Sequence, residues 1–315
     1  MANAAEGTVW NLLSYSGELI TASPEVTPLL TMMGGLTNGG YLTDNFEFPT
    51  NQYYAHETAA QPSITETTSL TAPTAISFTR TQEKNVAQIF QEQVSLSYAR
   101  MSAQGRLAGI NTGGADNAIA NELDWQISVA LKHIARDMEF TILQGAYQIA
   151  TSAAVANTTR GVNEAASDAS NTVAAGSVDL SKALIDSLLV TMEGNGATFE
   201  NMVLVGNLFQ KQQISDVYGY APTSRTVGGV NLQQIETDIG MIGIVNSRFQ
   251  ASGYVTLIDL AHMAPVWQPV PDKGNFFYET LSKAGAAESG QIFGQWGLDY
   301  GSGIYHGTLT GLSTS

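Results

Sequence analysis

Four histidines, His56, His133, His262 and His306, are the side chains best suited to move protons or bind metal near neutral pH. No two stand at the short spacing that lets a helix or turn aim both at one ion. Cysteine is absent, which excludes thiol catalysis, disulfides and cysteine-ligated zinc. Gly301-Ser-Gly-Ile-Tyr-His-Gly307 has the glycine density of a phosphate loop, but it lies between strand-like segments and opens no helix. It reads as a hairpin turn. Gly194-Asn-Gly196 reads as a helix stop, and the Asn157-Thr-Thr159 sequon has no consequence without an export signal. Carboxylates are plentiful, yet no spacing isolates an acid/base pair and no strained nucleophile motif occurs. The expectation is a protein with no catalytic residue, no metal and no cofactor.

Composition points to contact with copies of itself. Only 13% of the 315 residues are charged and 31 are glycine, so much of the surface must be Ser, Thr, Asn and Gln. Such a surface suits a chain largely covered by neighbours, because interface cores are depleted in charge. A net charge of −15 leaves too few cations to neutralise a phosphate backbone, so no sequence-specific nucleic-acid partner is expected. No run of eighteen apolar residues occurs, and no membrane partner is expected. Glu6, Glu18, Glu25, Asp44, Glu47, Glu57 and Glu66 all precede the first basic residue, Arg80, after which Lys84, Arg100 and Arg106 follow. An acidic first quarter can therefore meet a basic stretch on another copy.

The elements that organise the chain start from residues 116–147. Ile119, Leu123, Ile127, Leu131, Ile134, Met138 and Ile142 recur at three and four, predicting one amphipathic spine helix capped by Asp116 and ended at Gly145. Glu122, Asp124, Lys132, His133, Arg136, Asp137 and Glu139 are assigned to its outer face, with His133 as a solvated or paired residue. Residues 1–44 are expected to form an arm, with one short helix capped by Ser23 and started by Pro24. Trp10, Leu12 and Tyr15 have too little local structure around them for a core of their own. Residues 45–85 form an extended hairpin, with strands at 45–54 and 74–82 and an uncored tip at 58–73. Its apolar residues, Phe46, Tyr53, Tyr54 and Phe78, are expected to meet neighbouring copies, as are Arg80, Lys84, Arg100 and Arg106.

Residues 86–175 open a sheet domain that contains the spine, and 150–176, poor in large apolar groups, reads as a loop. Residues 176–263 alternate helix and strand as a small α/β domain: Asp179 caps one helix, Asn207 a second, and strands recur at 202–205, 230–235, 241–246 and 254–258. Residues 264–315 return as strands at 276–281, 292–300 and 304–309, which need the spine to cover their apolar face. The class is α+β, with the α/β domain inserted.

That order of parts resembles the Hong Kong 97-type fold of tailed-bacteriophage major capsid proteins. The residues resemble it too. Glu288-Ser-Gly-Gln-Ile-Phe-Gly-Gln-Trp-Gly-Leu-Asp-Tyr300 and Ile304-Tyr-His-Gly-Thr-Leu-Thr-Gly-Leu312 look like the closing strands of that family. Asn45-Phe-Glu-Phe48, Ala59-Ala-Gln-Pro62 and Leu70-Thr-Ala-Pro73 resemble the hairpin of one branch, and Asn121-Glu-Leu-Asp124 and Arg136-Asp-Met-Glu139 its spine. The resemblance implies hexamers and pentamers of one chain in an icosahedral phage head, assembled in the host cytoplasm. It also implies a hairpin lying over a neighbour, a middle domain around the capsomer axis, and scaffolding, portal and decoration partners. Some relatives crosslink through a hairpin lysine; no lysine occurs between Asn45 and Thr79 here, so that route is not expected. The rival readings are another shell or tube protein and a secreted-type hydrolase acting on polysaccharide.

Overall fold

The computed structural model describes residues 26–36, 38–54, 59–102, 106–107, 110–111, 122–218, 224–227, 230–283 and 285–314. The chain begins with helix α1 (Pro28–Met32) and strand β1 (Tyr41–Leu42). The hairpin strands β2 (Glu47–Tyr54) and β3 (Arg80–Val86) follow, with the single-turn helix α2 (Glu66–Ser69) between them. Next come β4 (Gln88–Ser97), α3 (Tyr98–Ser102), the short pair β5 (Arg106–Leu107) and β6 (Ile110–Asn111), and the spine α4 (Glu122–Gln144). The middle of the chain holds α5 (Val162–Asp168), β7 (Thr172–Ala174), α6 (Lys182–Gly194), β8 (Met202–Gly206), α7 (Leu208–Tyr218), β9 (Ser224–Val227), β10 (Val230–Thr237), β11 (Gly240–Asn246) and β12 (Val255–Asp259). It closes with β13 (Ala264–Trp267), β14 (Phe276–Thr280), β15 (Ala287–Asp299) and β16 (Gly307–Thr310).

The spine forms where its apolar stripe demands. Ile134, Met138 and Ile142 are buried, Leu123, Ile127 and Leu131 half-buried, and the helix ends one residue before Gly145. The 23 described residues span about 35 Å. The expected cap, Asp116, and Ile119 lie outside the described residues. The stripe packs on a sheet in which β15 is central, paired antiparallel with β4 on one side and with β13 and β14 on the other. Phe90 and Val94 of β4, Ile292, Trp296 and Leu298 of β15, and Trp267 of β13 meet the spine in one core, with Trp296 edge-on to Phe90 at 6.1 Å. Burying each such side chain contributes about 1.5–3 kcal/mol.

The glycines of β15 are explained by what lies on them. A Cβ at Gly290 would fall 2.1 Å from the Tyr278 hydroxyl, at Gly294 2.3 Å from the Phe276 ring, and at Gly297 2.7 Å from the Phe48 ring. Three aromatic rings occupy the space that side chains would take.

The second sheet has seven strands in the order β7-β16-β12-β8-β11-β10-β9. Its central strand β8 is buried at all five positions. Val203 and Val205 face the core shared with the spine, while Met202 and Leu204 face the core formed with Leu188, Met192 and Ile214 of α6 and α7. A strand covered on both faces reads as a continuous apolar run, as Met202 to Val205 does. Asn207 caps α7 as expected, its side chain accepting the Gln210 N–H at 2.8 Å.

Several expectations need correction. Residues 150–176 are not simply a loop: they contain α5 and β7, because Val162, Ala165 and Ala166 are buried where the spine ends. Strand 304–309 does not join the sheet on the spine. It becomes β16, paired antiparallel with β12 and parallel with β7, so the 301–307 glycine segment is a crossover between sheets rather than a hairpin turn. Helix α6 starts after Ser181, which makes no side-chain cap bond, so Asp179 is not its cap. The first helix starts at Pro28, while Ser23 and Pro24 lie outside the described residues. Residues 74–79 form no strand, and the hairpin zips only from Arg80.

Candidate assembly surfaces

The hairpin has an anchored base and a bare tip. At the base, Phe48 is buried with Ala87 and Val266, and Phe46 packs beside them. Asn85 is fully buried and uses its whole amide: Nδ2 donates to Leu298 O (2.6 Å) and Arg160 O (3.2 Å), and Oδ1 accepts from the N–H groups of Arg160 and Val86 (2.9 Å each). Thr159 Oγ1 donates to Val86 O at 2.6 Å, and Ser302 Oγ to Glu83 Oε1 at 3.1 Å. Removing the Asn85 amide leaves buried backbone groups without these bonds. Asn85→Ala should therefore cost about 2–4 kcal/mol in urea denaturation of the unassembled subunit, and a cost under about 0.5 kcal/mol would refute the tether.

The described tip is uncovered. Every described residue from 59 to 82 is exposed, including Ile64 (71%), Leu70 (85%), Ile76 (69%) and Phe78 (55%). The tip still has a defined shape: Thr65 caps α2 by accepting the Thr68 N–H at 3.2 Å, and the Tyr54 and Phe78 rings meet edge-on at 6.5 Å.

The residues expected to meet other copies are therefore divided. Tyr53, Tyr54, Phe78 and Arg80 are exposed on the hairpin. Phe46 is half-buried against its own chain, and Lys84, also exposed, pairs with Glu47 across the hairpin at 3.2 Å, a pair worth about 1 kcal/mol at most. Arg100 and Arg106 fall in α3 and β5, with side chains outside the described residues. Trp10, Leu12 and Tyr15 also lie outside them.

Two acids assigned to the spine's outer face are inside. Glu122 is buried and accepts from Gln126 Nε2, and Glu139 is completely buried, its carboxylate accepting the Leu29 and Leu30 N–H groups at 3.2 and 2.8 Å and the Ser247 hydroxyl at 3.1 Å. The arm helix α1 is thus capped by a residue of the spine. The sequence carried a signal for this, since Glu139 is bracketed at i−4, i+3 and i+4 by Ala135, Ile142 and Leu143.

The histidines have structural surroundings. His133 pairs with Glu92 at 2.7 Å, which raises its pKa chiefly through that bond, and His262 stacks on Tyr305 at 3.8 Å. His56 lies outside the described residues. His306 is fully buried, donating from Nε2 to Tyr300 O (2.8 Å) and accepting the Asp259 N–H at Nδ1 (3.3 Å). Burial pushes its pKa down to about 4 from 6.5. The unfolded chain then binds the extra proton, so this contribution is present above pH 6.5 and is lost as pH falls towards 4. The stability gap between the native chain and His306→Gln should narrow by about 3 kcal/mol over that interval in urea titrations. A gap independent of pH would contradict the neutral assignment.

Among the described residues no group of three His, Asp or Glu side chains could hold a metal ion, and no helix is long and apolar enough to cross a membrane.

A spine helix on one sheet, a second sheet between helices, and an extended bare hairpin together define a Hong Kong 97-type capsid fold. Solved structures of that shape include a capsid chain of cyanophage A-1(L), 12% identical over 96% of this chain and 97% of that one, with a TM-score of 0.62. A chain from Mycobacterium phage Patience matches at 12% identity over 91% and 84%, and the SrpI encapsulin complex of Synechococcus elongatus at 10% over 97% and 93%, both with a TM-score of 0.59. No curated protein matches in sequence. The chain belongs to the SU10 major capsid protein family, whose pattern it matches over residues 2–313. Its role is structural: it is a bacteriophage major capsid protein that associates with copies of itself in the virion shell.

Proposed function

We propose that this chain closes an icosahedral head from hexamers and pentamers by laying its hairpin tip over a neighbouring copy. The single observation that carries this is the tip itself, which has a defined shape and four large apolar side chains but no buried residue from 59 to 82. A two-stranded ribbon is marginal in water unless something covers it. Tyr53, Tyr54, Phe78 and Arg80 are the contacts on this surface, and Trp10, Leu12 and Tyr15 those of the arm. Residues 176–263, completed by β16, stand around the capsomer axis, and 1–44, 45–85, 86–175 and the rest of 264–315 serve as arm, hairpin and spine sheet. Assembly takes place in the host cytoplasm with scaffolding, portal and decoration proteins, and the protein acts by association rather than by turnover.

Negative-stain microscopy and sedimentation of the purified chain over a concentration series test this. Closed shells or fivefold and sixfold rings that grow with concentration are expected. Particles of monomer mass at every concentration would overturn it.

A further inference from the structure

Glu139 closes the Arg136-Asp-Met-Glu139 run and has no part in the outward surfaces described above. It is the spine's contribution to the seat of α1: two backbone N–H groups of the arm helix and the Ser247 hydroxyl converge on one carboxylate with no exposure to water. Among the described residues no cation pairs with it. Among the described residues, α1 has no titratable side chain, β10 brings Glu236 and the 247–250 turn brings Arg248, both exposed, and the spine brings Arg136 and Asp137. None of these forms an ion pair with Glu139. A carboxylate sealed in this way is sheltered only while α1 stays in place. If α1 lifts, its oxygens return to water.

We infer that Glu139 is a proton-linked latch on the arm, holding α1 to the spine in acid and loosening it as the solution becomes alkaline. The direction follows from burial without a counter-ion, which penalises the charged form more than three donors relieve it, and places the Glu139 pKa at about 7 instead of 4.5. The docked state binds the proton and the undocked state does not. Docking is therefore tightest below pH 4.5 and is lost as pH rises through about 7, a change of about 300-fold in the docking equilibrium. Shell closure is not required for this, because the contact lies within one chain.

Hydrogen exchange of the Leu29 and Leu30 amides in the full chain, corrected for intrinsic rates and read from about pH 5 to about pH 9, tests the latch. Protection of both amides should fall by about two orders of magnitude between about pH 5 and about pH 7 and level off above it. Glu139→Gln cannot ionise and should make protection independent of pH, at whatever level the variant settles. Ser247→Ala removes a donor to the anion and should move the pH at which protection levels off upward. Native protection that is flat or rises with pH would overturn the latch, as would a native-like slope in Glu139→Gln or an unmoved levelling point in Ser247→Ala.

Discussion

Deleting residues 58–73 should leave a subunit that folds about as well as the intact chain and no longer closes shells. The described residues of that segment belong to no core, and the hairpin is held instead at its base, by Phe48 on Gly297 and by the Asn85 and Thr159 hydrogen bonds. The Tyr54–Arg80 end of the β2–β3 ladder also survives the cut. Folding stability in urea should change by about 1 kcal/mol or less, as expected where only loop entropy and exposed residues are altered. Assembly loses far more. Ile64 and Leu70 go with the segment, and covering two such side chains against a neighbour stabilises each contact by about 3–6 kcal/mol, a factor of a hundred or more in association per subunit. Shells of normal yield from the deletion would show that the tip covers nothing.

The largest loss of stability from a single methyl group is expected at Gly40. Its φ is +67°, and a Cβ there would sit 1.6 Å from the Pro265 carbonyl oxygen. That atom is backbone, so no rotamer change relieves the overlap. Strand β1 must pull away from β13, giving up the parallel pairs Tyr41–Val266 and Leu42–Trp267, the Trp267 Nε1 bond to Gly39 O and the Tyr41 bond to Asp299. Left-handed strain of about 1–2 kcal/mol, two or three lost hydrogen bonds and a stranded indole N–H together give about 4 kcal/mol or more for Gly40→Ala. Gly35 supplies the control. It has φ +76° but nothing within 4 Å of its missing Cβ, so Gly35→Ala should cost only the strain. Equal losses in the two variants, read by urea titration and tryptophan fluorescence, would mean that the approach to Pro265 is not what demands glycine.

Side-chain period carried much of this architecture. The stripe from Leu123 to Ile142 needs only the 3.6-residue repeat to become a helix, and Gln88–Ser97, with Phe90, Val94 and Leu96 inward, needs only the repeat of two. A hairpin tip with nothing to bury was legible as well. Period says which face of an element goes inside; it does not name what lies against that face. Glu139 was assigned to the surface because carboxylates usually stay in water, and it is buried because Leu29 and Leu30, more than a hundred residues away in sequence, bring it the N–H groups that make burial tolerable. Ala165 and Ala166 are too small to mark a periodic core, and they are buried because helix α5 fits under the end of the spine. Strand β16 has the same alternating character as the return strands, but it pairs with β12 and β7, a choice made by hydrogen-bond registers between distant segments. Local pattern alone determined the spine, most of the strands and the bare tip. Their partners were decided by tertiary packing, because a buried polar group or a free strand edge is satisfied only by residues that the fold itself brings near.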